Sequence, residues 1–412
     1  MIAVIMLFYH IKNMKRRSWY DLDEQLKRTN SCNKYFEIFP AMALHKDLTE
    51  FEKEKIVNPF PLAFSHLVHT DVAILEVFLS LYFRPNNFHC IHVDAKASEN
   101  IKNAVSRLVN CYSKIIQKGK IWVIPENESI PINYGDHTIL DADMKCLTGL
   151  LDINKNGKIL WSYSLSVAGS ELPIKSYWRF HNEISTTLGE HESSVESEPM
   201  PITNWNRFTK KQLSDSVCVH SCMAQNDKYK EDSRYEFRLP YNHTTIRFQM
   251  FKGGRNVILS AKDAMFIVYH PIAKYVYKWM GEALNTEEHF FATMVRTKIN
   301  PITNKLVQNT TATTKDIFNG ICPRYAFWSY DCSGCYGKCI HDVCNFNTRD
   351  LTKIREGATE CLMANKFSLE VDASALEFHL ISMIKKVETE IDKWHKSNWS
   401  FYYLSKIDDL LH

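Results

Sequence analysis

Short apolar strands alternate with amphipathic helices over residues 60–175, and no other feature constrains the chain as strongly. Such an alternation requires a mostly parallel sheet with helices on its faces. Sheets of this kind bind ligands beyond the carboxyl ends of their strands. Residues 62–68 read as a strand entered through Pro59-Phe60-Pro61. Residues 72–83 follow with helical spacing of Ile74, Leu75, Phe78, Leu79 and Tyr82, and Arg84-Pro85-Asn86-Asn87 is a turn. A second strand over 88–93 ends at Asp94. The alternation continues with a helix over 98–109, a strand over 121–124 and a helix over 139–151 that sets Leu140, Met144, Leu147 and Leu151 on one face. A turn at 154–157 then leads into a strand over 159–167. The strand ends carry His69, Asp94 and the Gly169 turn, which is the layout of a nucleotide-binding domain without either of the usual phosphate loops.

Beyond this region the pattern changes. Residues 183–211 are polar and irregular and read as a long surface loop. Residues 257–259 read as a strand, 261–280 as helical and 286–297 as a further helix. Residues 302–316 are rich in Thr and Asn, 321–344 are dense in Cys and aromatics, and 373–396 form a closing amphipathic helix. We divide the chain into an anchor remnant and stem over 1–55 and one globular domain over 56–400. The first nine residues are apolar and precede Lys12, Lys15, Arg16 and Arg17. They are too few to span a bilayer, which takes about 20 residues. Their order is also the reverse of a signal peptide's, so they read as the remainder of a membrane anchor or a shortened start.

A net charge of +3 gives no electrostatic case for nucleic acid. The twelve cysteines and the sequons at Asn127, Asn242, Asn309 and Asn398 together favour the secretory pathway.

Four groups of residues could carry chemistry. Glu287-Glu288-His289 opens a helix, where a carboxylate near a cleft can act as a general base. The same residues also read as a capping box formed by Asn285 and Glu288. Asp141-Ala142-Asp143 has the spacing of a metal-holding D-x-D, but lies inside a helical pattern and reads as a solvated face. Cys332, Cys335, Cys339 and Cys344, with His341 among them, could hold zinc, and in an oxidising compartment read as two disulfides. Trp328 and Tyr330 could stack on a sugar ring or belong to the core.

In order along the chain, these stretches resemble the core-2/I-branching β-1,6-N-acetylglucosaminyltransferases, a family that also includes the peptide O-xylosyltransferases. The likeness runs from about residue 60 to residue 372. It rests on Phe60-Pro61-Leu62-Ala63-Phe64-Ser65 with Val68-His69, on Cys90-Ile91-His92-Val93-Asp94-Ala95-Lys96, and on Gly169 with Glu171-Leu172-Pro173-Ile174-Lys175. Glu287-Glu288-His289-Phe290 with Ala292-Thr293, and Ala364-Asn365-Lys366-Phe367, complete it.

The resemblance implies an α/β, GT-A-type, Rossmann-like nucleotide-sugar-binding domain whose mostly parallel central sheet is flanked by helices. It further implies inverting transfer of N-acetylglucosamine from UDP-GlcNAc to a galactose- or GalNAc-containing O-glycan, without a metal or other cofactor. Glu288 then stands in the place of the base, Asp94 and Leu67 at the uridine, and Glu196, Arg207, Trp328 and Tyr330 on the acceptor side. Lys366 matches one of the two basic residues that neutralise the leaving diphosphate. His341 replaces the other, an arginine, unless Lys338 or Lys353 substitutes for it. Asn204 and Ile139 replace an acceptor-side lysine and a donor-side arginine. By the family pattern, Cys90 pairs with Cys146, Cys111 with an upstream cysteine such as Cys32, and Cys332 with Cys344. Cys335–Cys339 and Cys218–Cys222 would be extra bridges, and Phe378 stands near the place of a family cysteine. A Golgi membrane protein with a lumenal catalytic domain is the corresponding location. A xylosyltransferase-like member, a non-catalytic glycan-binding relative with a decayed donor site, and an intracellular zinc-binding protein are the alternatives.

Overall fold

A computed structural model describes Cys32 and residues 46–411, apart from 115–119, 154–157, 190–191, 221–233, 242, 300–305, 309–320 and 329–331. Four strands, β1 (Leu62–Val68), β2 (Phe88–Val93), β3 (Ile121–Val123) and β4 (Tyr163–Ala168), lie parallel in the order β3-β2-β1-β4. Beyond β4, the strand Val257–Ser260 pairs antiparallel with β4, and Ser194–Val195 pairs antiparallel with Val257–Ser260. Every residue of β1 and β2 is buried, because helices cover both faces of a parallel sheet. On one side α2 (Val72–Tyr82) and α5 (Tyr177–Leu188) place Phe78, Tyr82, Phe180 and Ile184 against Phe64 and Tyr163. On the other, α4 (Thr138–Asp152) sets Leu140, Leu147 and Leu151 against the helices that follow residue 260. α3 (Glu99–Ser113) closes the flank beside β2 and β3. Two histidines interrupt this apolar interior: His66 Nε2 lies 3.2 Å from His89 Nδ1. Burial pushes His66 down to about 3, so it stays neutral.

A second, three-stranded sheet forms from Cys322–Ala326, Cys361–Asn365 and β5 (Glu171–Pro173). It stands next to the carboxyl end of β4, where the Gly169 turn leads into β5. α1 (Lys46–Lys55), inside the expected stem, packs Leu48 and Phe51 against Val387, and Arg84 holds its buried Glu52 at 2.6 and 2.5 Å. No helix of the described residues is long and apolar enough to cross a membrane.

Three expectations change. The loop assigned to 183–211 is the second half of α5 followed by short strands, the 3-10 helix Ile202–Arg207 and the helix Lys210–Ser214. The helix assigned to 261–280 is two, Ala261–Tyr269 and Pro271–Met280, because Pro271 has no N–H to continue the ladder and starts a new helix instead. The disulfide Cys332–Cys344 does not form, and neither does Cys335–Cys339; Cys332 joins Cys339 and Cys335 joins Cys344. The tight turn 332–335, closed by Cys335 N donating to Cys332 O at 3.3 Å, presents its two sulfurs to Cys339 and Cys344, which face each other across a hairpin. The zinc reading of this cluster fails with it, since all four sulfurs are bonded in pairs. Cys90–Cys146 and Cys32–Cys111 form as expected, and Cys322–Cys361 staples the second sheet. The proposed Cys218–Cys222 bridge involves residues outside those described. Asn127 is exposed on a 3-10 turn, whereas Asn242 and Asn309 and the side chain of Asn398 lie outside the described residues.

Candidate active site

The site grows from the carboxyl ends of β1, β2 and β4. Gly169 is required there, because a Cβ would lie 2.7 Å from the Leu67 carbonyl and block the turn out of β4. Leu67, the next-to-last residue of β1, is buried. Asp94, just past β2, is almost fully buried. Its Oδ1 accepts from the backbone of Lys96 (2.8 Å) and Ile132 (3.4 Å), and its Oδ2 faces His69 Nε2 at 3.8 Å.

Behind the Gly169 turn, the wholly buried Glu171 gathers several hydrogen bonds. It accepts from Ala168 N (2.9 Å), from Asn256 Nδ2 (2.8 and 2.7 Å) and from Arg324 Nη1 (3.2 Å). Lys366 follows Asn365, the residue paired with Glu171 across the second sheet. Burial, then the nearby Arg324, pull the Lys366 ammonium down from its ordinary value, and Glu171 opposes them.

Glu288 lies in the first turn of the helix Glu287–Arg296, where the helix dipole favours a carboxylate. Arg207, at the end of its 3-10 helix, donates to Glu288 Oε2 in an ion pair that is partly open to solvent. Gly253 N donates to the Glu288 carbonyl at 2.6 Å. A Cβ on Gly253 would come within 1.8 Å of the Glu196 carbonyl, and one on Gly254 within 2.8 Å of Glu196 Oε2. The two glycines therefore let the Glu196 and Glu288 segments meet. Burial raises Glu196 above its ordinary value; Lys252 and Arg324 pull it back, and Glu198 and Glu288 add to the rise.

Under this floor, Asp143 is ion-paired through both oxygens to Arg255, at 2.7 and 2.8 Å. The solvated-face reading of Asp143 is thus wrong: the residue is 2% exposed. Asp141 is engaged by Tyr277 and, at 3.2 Å, by His137. The capping box also fails. Thr286 is the N-cap and makes no side-chain cap, while Asn285 adopts φ 48° and offers its carbonyl to Glu288 N.

The family model described as "Branch: Core-2/I-Branching enzyme" matches residues 62–355, from the first residue of β1 into the helix Leu351–Gly357. The chain belongs to this family. It is a glycosyltransferase. Over 372 residues it is 24% identical to human β-1,3-galactosyl-O-glycosyl-glycoprotein β-1,6-N-acetylglucosaminyltransferase 3, covering 88% of this chain and 75% of the relative. It is 26% identical to the Danio rerio enzyme numbered 4 in the same series over 317 residues, covering 76% of this chain and 67% of the relative. The corresponding enzyme of Bos taurus shares 24% over 376 residues, 89% of this chain and 78% of the relative.

In this core-2/I-branching enzyme, Glu288, Arg207 and Glu196 come together, as do Leu67 and Asp94 at the strand ends. Trp328 is 58% exposed and bridges to Val343, whereas Tyr330 lies outside the described residues. His341 is exposed, at φ 50°, with its ring stacked on Tyr134 at 4.8 Å. Lys338 and Lys353 pair with Glu370 (3.9 Å) and Asp350 (3.6 Å). Asn204 is buried, and its Nδ2 has no hydrogen-bond partner among the described residues. Sequence reading missed Gly253, Arg255, Asn256 and Arg324. The run Gly253-Gly254 ahead of a strand was the one available signal, since paired glycines mark close backbone approach.

Proposed function

We propose that this enzyme transfers N-acetylglucosamine from UDP-GlcNAc to a hydroxyl of a galactose- or GalNAc-containing O-glycan, forming a β-1,6 branch with inversion and without a metal. The ion-paired Glu288 at a helix start, beside Glu196, is the observation that carries it. Glu288 removes the proton of the acceptor hydroxyl as its oxygen attacks the anomeric carbon. The bond from that carbon to the diphosphate breaks, and UDP leaves with the electron pair. A general base must be held at the hydroxyl it deprotonates, and the ion pair with Arg207 fixes the position of the Glu288 side chain. Asp94 and Leu67 serve the uridine, Glu196, Arg207, Trp328 and Tyr330 the acceptor, and Lys366 the charge developing on the leaving diphosphate.

The names of the relatives support the β-1,6 linkage and the galactosyl acceptor. Disulfides among the described residues suit an oxidising compartment, and we place the enzyme in the Golgi membrane with its catalytic domain in the lumen. The exposed His341, in the place of a family arginine, favours a second reading: a glycan-binding relative with a decayed donor site.

Offering UDP-GlcNAc and UDP-xylose separately with a Galβ1-3GalNAc acceptor, in EDTA, decides between them. Transfer from UDP-GlcNAc alone supports the proposal. Transfer from UDP-xylose redirects it to a xylosyltransferase, and strict dependence on added manganese overturns the metal-free mechanism. Glycan binding with neither UDP binding nor transfer supports the second reading.

A further inference from the structure

We propose that Arg324, and not His341, is the second cation that holds the nucleotide diphosphate beside Lys366. The assignment rests on the UDP-sugar reading above.

The register of the second sheet places these groups together. Asn365 pairs with Ala326 on one side and with Glu171 on the other, and Lys366 is the next residue. Arg324 lies on the Cys322–Ala326 strand, and its guanidinium reaches across the Cys361–Asn365 strand to Glu171 Oε1 at 3.2 Å. The guanidinium and the Lys366 ammonium therefore gather at one end of the sheet, next to the Gly169 turn.

Glu171 anchors the arginine from below and has no exposure, whereas the Arg324 side chain is 21% exposed. The buried carboxylate fixes the guanidinium and leaves part of it open to solvent. The single charge of Glu171 acts on both cations, which leaves an excess of positive charge, and Arg324 contributes to the lowering of Lys366. A diphosphate supplies the missing charge. A guanidinium meets phosphate oxygens in a fork, which neither a lysine nor a partly charged imidazole reproduces.

The competing groups are engaged elsewhere. The His341 ring lies on Tyr134 at 4.8 Å. Lys338 pairs with Glu370 and Lys353 with Asp350. Arg324 also acts electrostatically on Glu196. Loss of the arginine at His341 is thereby tolerated without loss of the donor site.

The test is titration of the full chain with UDP and with uridine, for the parent and for Arg324→Met, Arg324→Lys and His341→Ala. Uridine lacks the diphosphate, so the UDP-to-uridine affinity ratio reads the diphosphate contact and is insensitive to a general loosening of the fold. Arg324→Met is expected to reduce that ratio at least about tenfold, as removal of a charge-assisted hydrogen bond does. Arg324→Lys recovers part of it, and His341→Ala leaves it within about twofold. If Arg324→Met no longer binds uridine, the Glu171→Gln/Arg324→Met double variant, which leaves no unpaired buried charge, is judged by the same ratio. An unchanged ratio in the arginine variant overturns the assignment, as does a large loss in His341→Ala. A parent that binds UDP no better than uridine instead refutes the donor reading on which the assignment rests.

Discussion

Replacing Glu287 with glutamine isolates one buried carboxyl's contribution to the pH dependence of the fold. Glu287 is 6% exposed, and burial, with Glu288 and Asp143 nearby, pushes its carboxyl from 4.5 up to about 7, Arg255 opposing. Its Oε2 has no hydrogen-bond partner among the described residues. The folded-state value lies above the unfolded one, so the protonated form is the one the fold favours. The stability it contributes is fully present below 4.5 and is lost as pH rises through about 7. At roughly 1.4 kcal/mol per unit, the loss between pH 5 and pH 8 is on the order of 2 to 3 kcal/mol. Glutamine keeps the shape and does not titrate. Urea unfolding of both proteins across pH 5 to 8 should therefore show Glu287→Gln gaining on the parent by that amount. Parallel pH profiles would refute the inference that Glu287 is buried in its neutral form.

The remaining predictions concern the floor and walls of the site. Asp143→Asn leaves the Arg255 guanidinium buried without its counter-charge and should cost about 3 to 5 kcal/mol in urea unfolding; a loss below about 1 kcal/mol would mean that water replaces the carboxylate. Gly253→Ala forces a Cβ to within 1.8 Å of the Glu196 carbonyl. The Glu196 and Glu288 segments must then separate, and transfer should fall about 100-fold while UDP still binds; undiminished transfer contradicts the wedge. Trp328→Ala removes a largely exposed ring, so stability should change by less than about 0.5 kcal/mol. In steady-state kinetics the acceptor KM should rise about three- to tenfold with the donor KM unchanged, and equal changes in both KM values would exclude an acceptor contact.

Local signals carried much of the fold. β1 and β2 coincide with the strands read from sequence because continuous apolar runs between proline and asparagine turns have few other solutions. α5 was missed although Tyr177, Phe180, His181, Ile184 and Leu188 are spaced as a buried helical face. Its polar outer residues from Glu183 onward were read as the start of a loop. The errors at Asp143 and in the cysteine cluster have a different origin. Asp143 is buried only because Arg255, 112 residues away, meets it, and no local pattern announces that partner. Cysteine connectivity depends on how the 332–335 turn folds over its hairpin, which spacing leaves open. Glu288 was singled out through family resemblance, whereas Gly253 and Arg255, which pack under its segment, come from a distant strand entrance. Arg324 reaches Glu171 across 153 residues and is visible only once the second sheet is assembled.

The central claim is that Glu288 takes the proton of the acceptor hydroxyl, and the most direct measurement compares Glu288→Gln with the parent. Transfer from UDP-GlcNAc to Galβ1-3GalNAc is followed in EDTA, with UDP affinity titrated on the same preparations. We predict that the variant binds UDP as the parent does and that its transfer rate drops by about 100- to 10,000-fold, the range lost with a general base. Transfer at the parental rate by a variant that still binds UDP would contradict the account.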